Sequence, residues 1–147
     1  MIILGFKVSG QEIDISDASI VKIERKMKLR ANRVLYKKRK KGFSDEEAMR
    51  RMIVSADKIL FNIDEEKHVL NWTMWTFPVI TTTKGLKKID AIMQKYIRYA
   101  ATGTLSERRY RAKYQQMKKL GYRTSVNVYY KEFLERDTQA VLPGKEE

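Results

Sequence analysis

KIERKMKLRANRVLYKKRKK, residues 22–41, carries eleven of the chain's thirty-one basic residues against a single acid, Glu24. On a period of 3.6 the apolar residues Ile20, Ile23, Met27, Ala31 and Val34 fall at steps of three or four, which is one stripe down one side of a helix. The stripe is fit for burial and the remaining surface is a positive ridge. Ser16 or Asp17 is placed to accept the first free amides, and Gly42 stops the helix at about Lys40. Some of the five consecutive cations Lys37 to Lys41 suit the negative end of the helix dipole, but five exceed what that role needs.

Working outward toward the N-terminus, Ile3 to Val8 and Gln11 to Ile15 alternate in polarity around Ser9-Gly10, which predicts a two-stranded β-hairpin over residues 2–15. A lone hairpin is marginal, so it needs helices, or another strand, to lie against. Toward the C-terminus, Ser44-Asp45-Glu46-Glu47 reads as a capping box with Phe43 as a staple onto Ala48. The helix it opens keeps helical spacing through Met49, Met52, Ile53, Ala56, Ile59, Leu60 and Ile63.

Asp64-Glu65-Glu66 reads as a short helical start passing into extended chain over 69–77, because aromatic and β-branched residues lead up to Pro78. Trp72, Trp75 and Phe77 are expected to seal the core rather than to stack on bases. Thr83 opens a further helix with Leu86, Ile89, Met93, Tyr96 and Ala100 inward and Gly103 as its stop. Thr104 and Glu107 suggest another capping box before a helix over 106–122, with Tyr110, Tyr114, Met117 and Leu120 buried. Seven cations, Arg108, Arg109, Arg111, Lys113, Lys118, Lys119 and Arg123, make this the second positive ridge. Ser125 is expected to cap a last helix through Val126, Tyr129, Tyr130, Phe133 and Leu134, with a strand over 123–130 as the competing assignment.

The whole is mainly α, of α+β type: a bundle of about four to five helices carrying an N-terminal two-stranded hairpin. It forms one globular domain over 1–137, with a flexible tail over 138–147. Apolar residues make up 43% of the 147-residue chain and charged residues 33%, enough for a core under a densely charged surface. The formal net charge of +13 favours an anionic partner. The absence of cysteine excludes disulfides, thiol catalysis and zinc fingers. No run is long and apolar enough to span a membrane and no secretory signal is legible, so an intracellular, cytoplasmic, soluble protein with no membrane partner is expected.

Leu120-Gly121-Tyr122-Arg123-Thr124-Ser125-Val126 is similar to the turn of helix-turn-helix DNA-binding domains, and that resemblance implies that Arg123, Thr124, Ser125, Asn127 and Lys131 face a groove. A helical hairpin that merely needs glycine at its turn produces the same string. Catalytic signals are thin. His68 is the chain's one histidine, which excludes a two-histidine metal site. Asp14 and Glu24-Arg25-Lys26 resemble the acidic-pair-plus-lysine pattern of metal-dependent nucleases, but Glu24 falls on the strongly periodic helix rather than on a strand. No catalytic residue, metal or cofactor is assigned.

The expectation is therefore a non-enzymatic protein that binds DNA or RNA through backbone phosphates. Its contacts are Arg30, Arg33, Lys37, Lys38, Arg39, Lys40 and Lys41 from the first ridge and Arg108, Arg109, Arg111, Lys118, Lys119 and Arg123 from the second. The composition is compatible with an accessory protein of a phage or mobile element. The alternative is a protein-interaction module: an assembly component of a nucleoprotein particle or virion, or an inhibitor docking on the acidic groove of a nucleic-acid enzyme. Oligomeric state is not legible.

Overall fold

Three long helices carry the core. The computed structural model of the chain describes residues 2–3, 5–61 and 72–134. Helix α1 spans Asp17–Lys41, α2 spans Asp45–Leu60 and α4 spans Lys84–Thr102; each packs against the other two. Between α2 and α4 stands the short α3, Trp72–Thr76. After α4 come a 3-10 segment over Glu107–Arg111, α5 over Tyr114–Lys119, and α6 over Ser125–Val128, which continues as a π-helical turn over Tyr129–Leu134. This is the α+β helical bundle that the periodicity predicts.

The predicted hairpin is present as β2, Phe6–Ser9, and β3, Glu12–Ile15, in antiparallel register Phe6↔Ile15 to Ser9↔Glu12. The first alternating segment does not run unbroken from Ile3. At Gly5 the backbone takes φ 87°, and Ile2–Ile3 turns back as a short third strand, β1, beside β2. On the far edge, the Thr81 amide donates to the Ile13 carbonyl at 2.9 Å and the Ile13 amide to Thr81 Oγ1 at 2.8 Å, so the segment before α4 covers β3.

Capping explains where the long helices begin and end. The Ser16 side chain accepts from the Ser19 amide, and Gly42, at φ 70°, closes α1 with its amide on the Lys38 carbonyl. Ser44 accepts from the Glu47 amide at 3.1 Å, but the Glu47 carboxylate turns to Arg50 and Arg51 instead of returning to Ser44. Thr83 makes no side-chain cap for α4. Instead Asp14, buried on β3, accepts the Gly85 amide at 3.2 Å and the Ile15 amide at 2.8 Å, so the sheet itself caps this helix.

That contact leaves no room at Gly85, where a Cβ would stand 2.5 Å from Asp14 Oδ1 and 3.1 Å from Ile15 Cδ1. A Gly85→Ala exchange in an open helix gains about 1 kcal/mol of propensity. Here we expect a net loss of about 1–3 kcal/mol from overpacking against an anchored carboxylate, read as a lower midpoint in urea unfolding.

The buried stripes of α1 and α4 match those predicted, and α2 buries Met49, Met52, Ile53, Ala56 and Leu60 as expected, with Leu35, Ala48, Ile97 and Ala101 added; Ile59, Tyr114 and Leu120, expected to be buried, are half-buried. Met27, Met49, Met52, Met93 and Met117 are all fully buried; their flexible thioethers fill the irregular spaces where the helices cross.

Three further expectations are corrected. The continuous helix over 106–122 is broken at Ala112, whose carbonyl accepts from Arg98 Nε at 2.9 Å and whose backbone is extended. Thr104 and Ser106 hydroxyls capture the amides of Ser106 and Arg108, so no Thr104–Glu107 box forms, and Tyr110 is 47% exposed rather than buried. Second, residues 72–76 are helical, not extended. The rule that disfavours helix before proline acts only at Phe77, the residue adjoining Pro78. Phe77 is buried against Tyr129 and Trp72 is half-buried, whereas Trp75 is 66% exposed and seals nothing.

Third, α6 is helix rather than strand, but its cap is Thr124, whose side chain accepts from the Asn127 amide. Residues 62–71, with His68 and the end assigned to α2 at Ile63, lie outside the described residues, as does the tail assigned to 138–147.

Candidate nucleic-acid interface

Arg30, Arg33 and Lys37 recur at steps of three and four along α1, on a row beside its buried stripe. The turn at 42–44 is short, so α2 runs back antiparallel and sets its own flanking row, with Arg50, Arg51 and Lys58, against the first. The two rows line one furrow, floored by Val34, Val54 and Ser55. Six cations thus face one carboxylate there, that of Glu47.

Glu47 pairs with Arg50 at 2.7 Å and Arg51 at 3.2 Å; the Arg51 hydrogen bond, assisted by Arg50, holds its carboxyl below the usual range. It stays ionised and fixes two guanidinium groups at one end of the furrow. Arg51 also lies over the Phe43 ring, 4.4 Å from its centroid. Arg30, Arg33 and Lys37 are exposed and have no ion-pair or hydrogen-bond partner among the described residues.

Lys38 is different. Its side chain is only 18% exposed, and its ammonium group bridges the Asp45 carboxylate to the Ala101 carbonyl. Arg111 reaches the same carboxylate at 3.2 Å. Burial raises the Asp45 carboxyl, but Lys38 and then Arg111 outweigh it and hold it below the usual range. Lys38 and Arg111 therefore bind the end of α1 and the 3-10 segment to the start of α2, and they are not free for a ligand. Arg39 lines a separate cleft with Gly103 and Phe43, Lys40 lies on Tyr36, and Lys41 is exposed at the helix end.

The second predicted ridge is not a helix face. Arg109 donates to the Leu105 carbonyl at 2.7 Å and to Tyr110 Oη at 2.7 Å, and lies over the Tyr110 ring. Arg123 pairs with Glu132 at 3.2 Å and covers Phe61. That leaves Arg108, Lys113, Lys118 and Lys119 exposed without an ion-pair partner among the described residues.

The turn that resembles a helix-turn-helix is also placed differently. α5 has six residues, and Ser125 is fully buried, its amide and hydroxyl on Asp90 of α4. Asn127 and Lys131 are exposed, but the start of the would-be recognition helix is docked on the bundle.

The nuclease-like constellation does not assemble: Asp14 caps α4, and Glu24 lies on α1. Among the described residues no cluster of three or more acidic or histidine side chains is placed to hold a metal ion. Nor, among them, is any helix long and apolar enough to cross a membrane.

Arg50, Arg51 and Lys58 were missed because Asp45, Glu46, Glu47 and Asp57 dilute the local charge of α2. Their period, one row beside the buried stripe, was the signal available. No family model, curated protein or solved structure matches this chain.

Proposed function

We propose that the chain is a non-enzymatic nucleic-acid-binding protein that grips a phosphodiester backbone in the furrow between α1 and α2. The observation that supports this reading is the pair of facing cation rows, Arg30, Arg33 and Lys37 against Arg50, Arg51 and Lys58. Four of these six guanidinium or ammonium groups, those of Arg30, Arg33, Lys37 and Lys58, have no internal partner among the described residues. Two antiparallel helices fix the backbone of both rows, so binding has to order side chains but little backbone. Recognition of this kind positions phosphates and carries no base sequence by itself.

The test is titration of labelled DNA and RNA at several salt concentrations. Phosphate binding predicts a straight plot of log K against log[salt], with a slope equal to the release of about four or more counterions. Absence of binding at low salt would overturn the reading. It would favour the competing one, a module docking on an acidic protein surface, for which the exposed Trp75 and Val79 offer apolar contacts.

A further inference from the structure

Phosphate binding leaves one part of α1 unexplained. Leu29, Arg33, Tyr36 and Lys40 recur at steps of four, three and four, so they form a single stripe on the outer side of the helix. Arg33 belongs to this stripe and to the furrow alike. Leu29 is 61% exposed and Tyr36 is 62% exposed, in the middle of the most basic stretch of the protein. The Lys40 ammonium lies 5.4 Å from the Tyr36 ring centroid and 3.2 Å from its hydroxyl, which steadies the ring while leaving most of it in solvent.

The other exposed aromatic side chains, Tyr110, Trp75 and Tyr130, are less suited to a base; the Tyr130 ring already packs edge-on to Tyr129 at 5.6 Å. The Tyr110 ring is already met by Arg98 at 5.1 Å and Arg109 at 4.3 Å. Trp75 sits on α3, WTMWT, a helix without a cation.

We infer that the partner is a single-stranded nucleic acid, with an unpaired base stacked on Tyr36 and the adjoining phosphates passing by Arg33 into the furrow. This rests on the function proposed above and narrows it. The two cation rows reach into one furrow, so they converge on one strand rather than spanning two. A duplex offers no base face to a side chain on its flank, whereas every unpaired base has one.

The experiment compares oligo(dT), oligo(U) and a duplex of equal length as probes, by fluorescence anisotropy with the full chain. Tyr36→Ala should weaken the single-stranded probes by about tenfold, the usual worth of one stacked base. The salt slope and the duplex affinity should stay unchanged, and Tyr36→Phe should bind like the unsubstituted protein. The relative strength of oligo(dT) and oligo(U) tells DNA from RNA.

In the unsubstituted protein, an oligonucleotide carrying 5-iodouracil should photocross-link to Tyr36, located by mass spectrometry; this arm holds even if a variant were to unfold. Equal affinities for Tyr36→Ala and the unsubstituted protein would overturn the stacking inference alone, as would equal losses on single strand and duplex, or cross-links only elsewhere. Failure of the unsubstituted protein to bind any probe would overturn the phosphate reading as well.

Discussion

Replacing Arg30, Arg33 and Lys37 together by glutamate should lower nucleic-acid affinity by about a thousandfold at moderate salt and flatten the salt slope by about three counterions. The size follows from position. Each of the three faces the furrow, none has an internal partner among the described residues, and reversal sets carboxylates against the row on α2. Their exposure means that the fold should survive, which a thermal melt within a few degrees of the unsubstituted protein checks.

The informative comparison is a charge-matched one, with Arg108, Lys118 and Lys119 reversed instead. These are also exposed, but they do not line the furrow. If net charge alone attracted the polyanion, both triple variants would lose the same affinity. A furrow that binds predicts a loss of about tenfold or less for the second set.

Asp90→Ala should cost about 3–5 kcal/mol of folding stability and lower the melting temperature by roughly 10 °C. Asp90 is 7% exposed and has no ion-pair partner among the described residues. Its carboxylate accepts the Ser125 amide at 2.7 Å, the Ser125 hydroxyl at 2.8 Å and the Val126 amide at 3.2 Å. Truncation would orphan these donors at a buried junction, and α6 would lose its tie to α4. The Ser125 hydroxyl keeps one alternative acceptor, the Leu86 carbonyl at 3.2 Å, so the loss is less than complete.

Burial pushes the Asp90 carboxyl up, only partly offset by Ser125 and Val126. A carboxyl raised in the folded state contributes stability that is present below its unfolded value and lost as pH rises through the folded one. The gap between the unsubstituted protein and Asp90→Ala, followed by denaturant unfolding, should therefore widen on acidification from neutral pH.

The long helices were legible because period and punctuation agreed on them. Ser16, Gly42, Ser44 and Gly103 bounded stretches whose apolar spacing had one reading, and local signals there met no competitor. The region after Gly103 failed because its structure is decided elsewhere in the chain. Arg98 takes the Ala112 carbonyl that a continuous helix would use, and nothing in the string ERRYRAKYQQMKK announces a partner on α4. Asp14 and Asp90 were equally silent: each caps a helix from a distant element, which no local spacing encodes.

The candidate site was half legible for a related reason. Charge density found the α1 row, but it also picked Lys38 and Arg111, which Asp45 claims, and it passed over Arg50, Arg51 and Lys58 on a helix of mixed charge. Which cations are free is a property of pairing across the bundle.

The furrow has a thermodynamic corollary for the protein on its own. Two facing rows of like sign repel each other, and Glu46 and Glu47 relieve this only at the end that holds Arg50 and Arg51. The unliganded state is thus electrostatically frustrated, with the hydrophobic interior holding together surfaces that would drift apart. A phosphate backbone laid between the rows would relieve that repulsion, and the counterions it sheds on entering would add the entropy on which tight association draws.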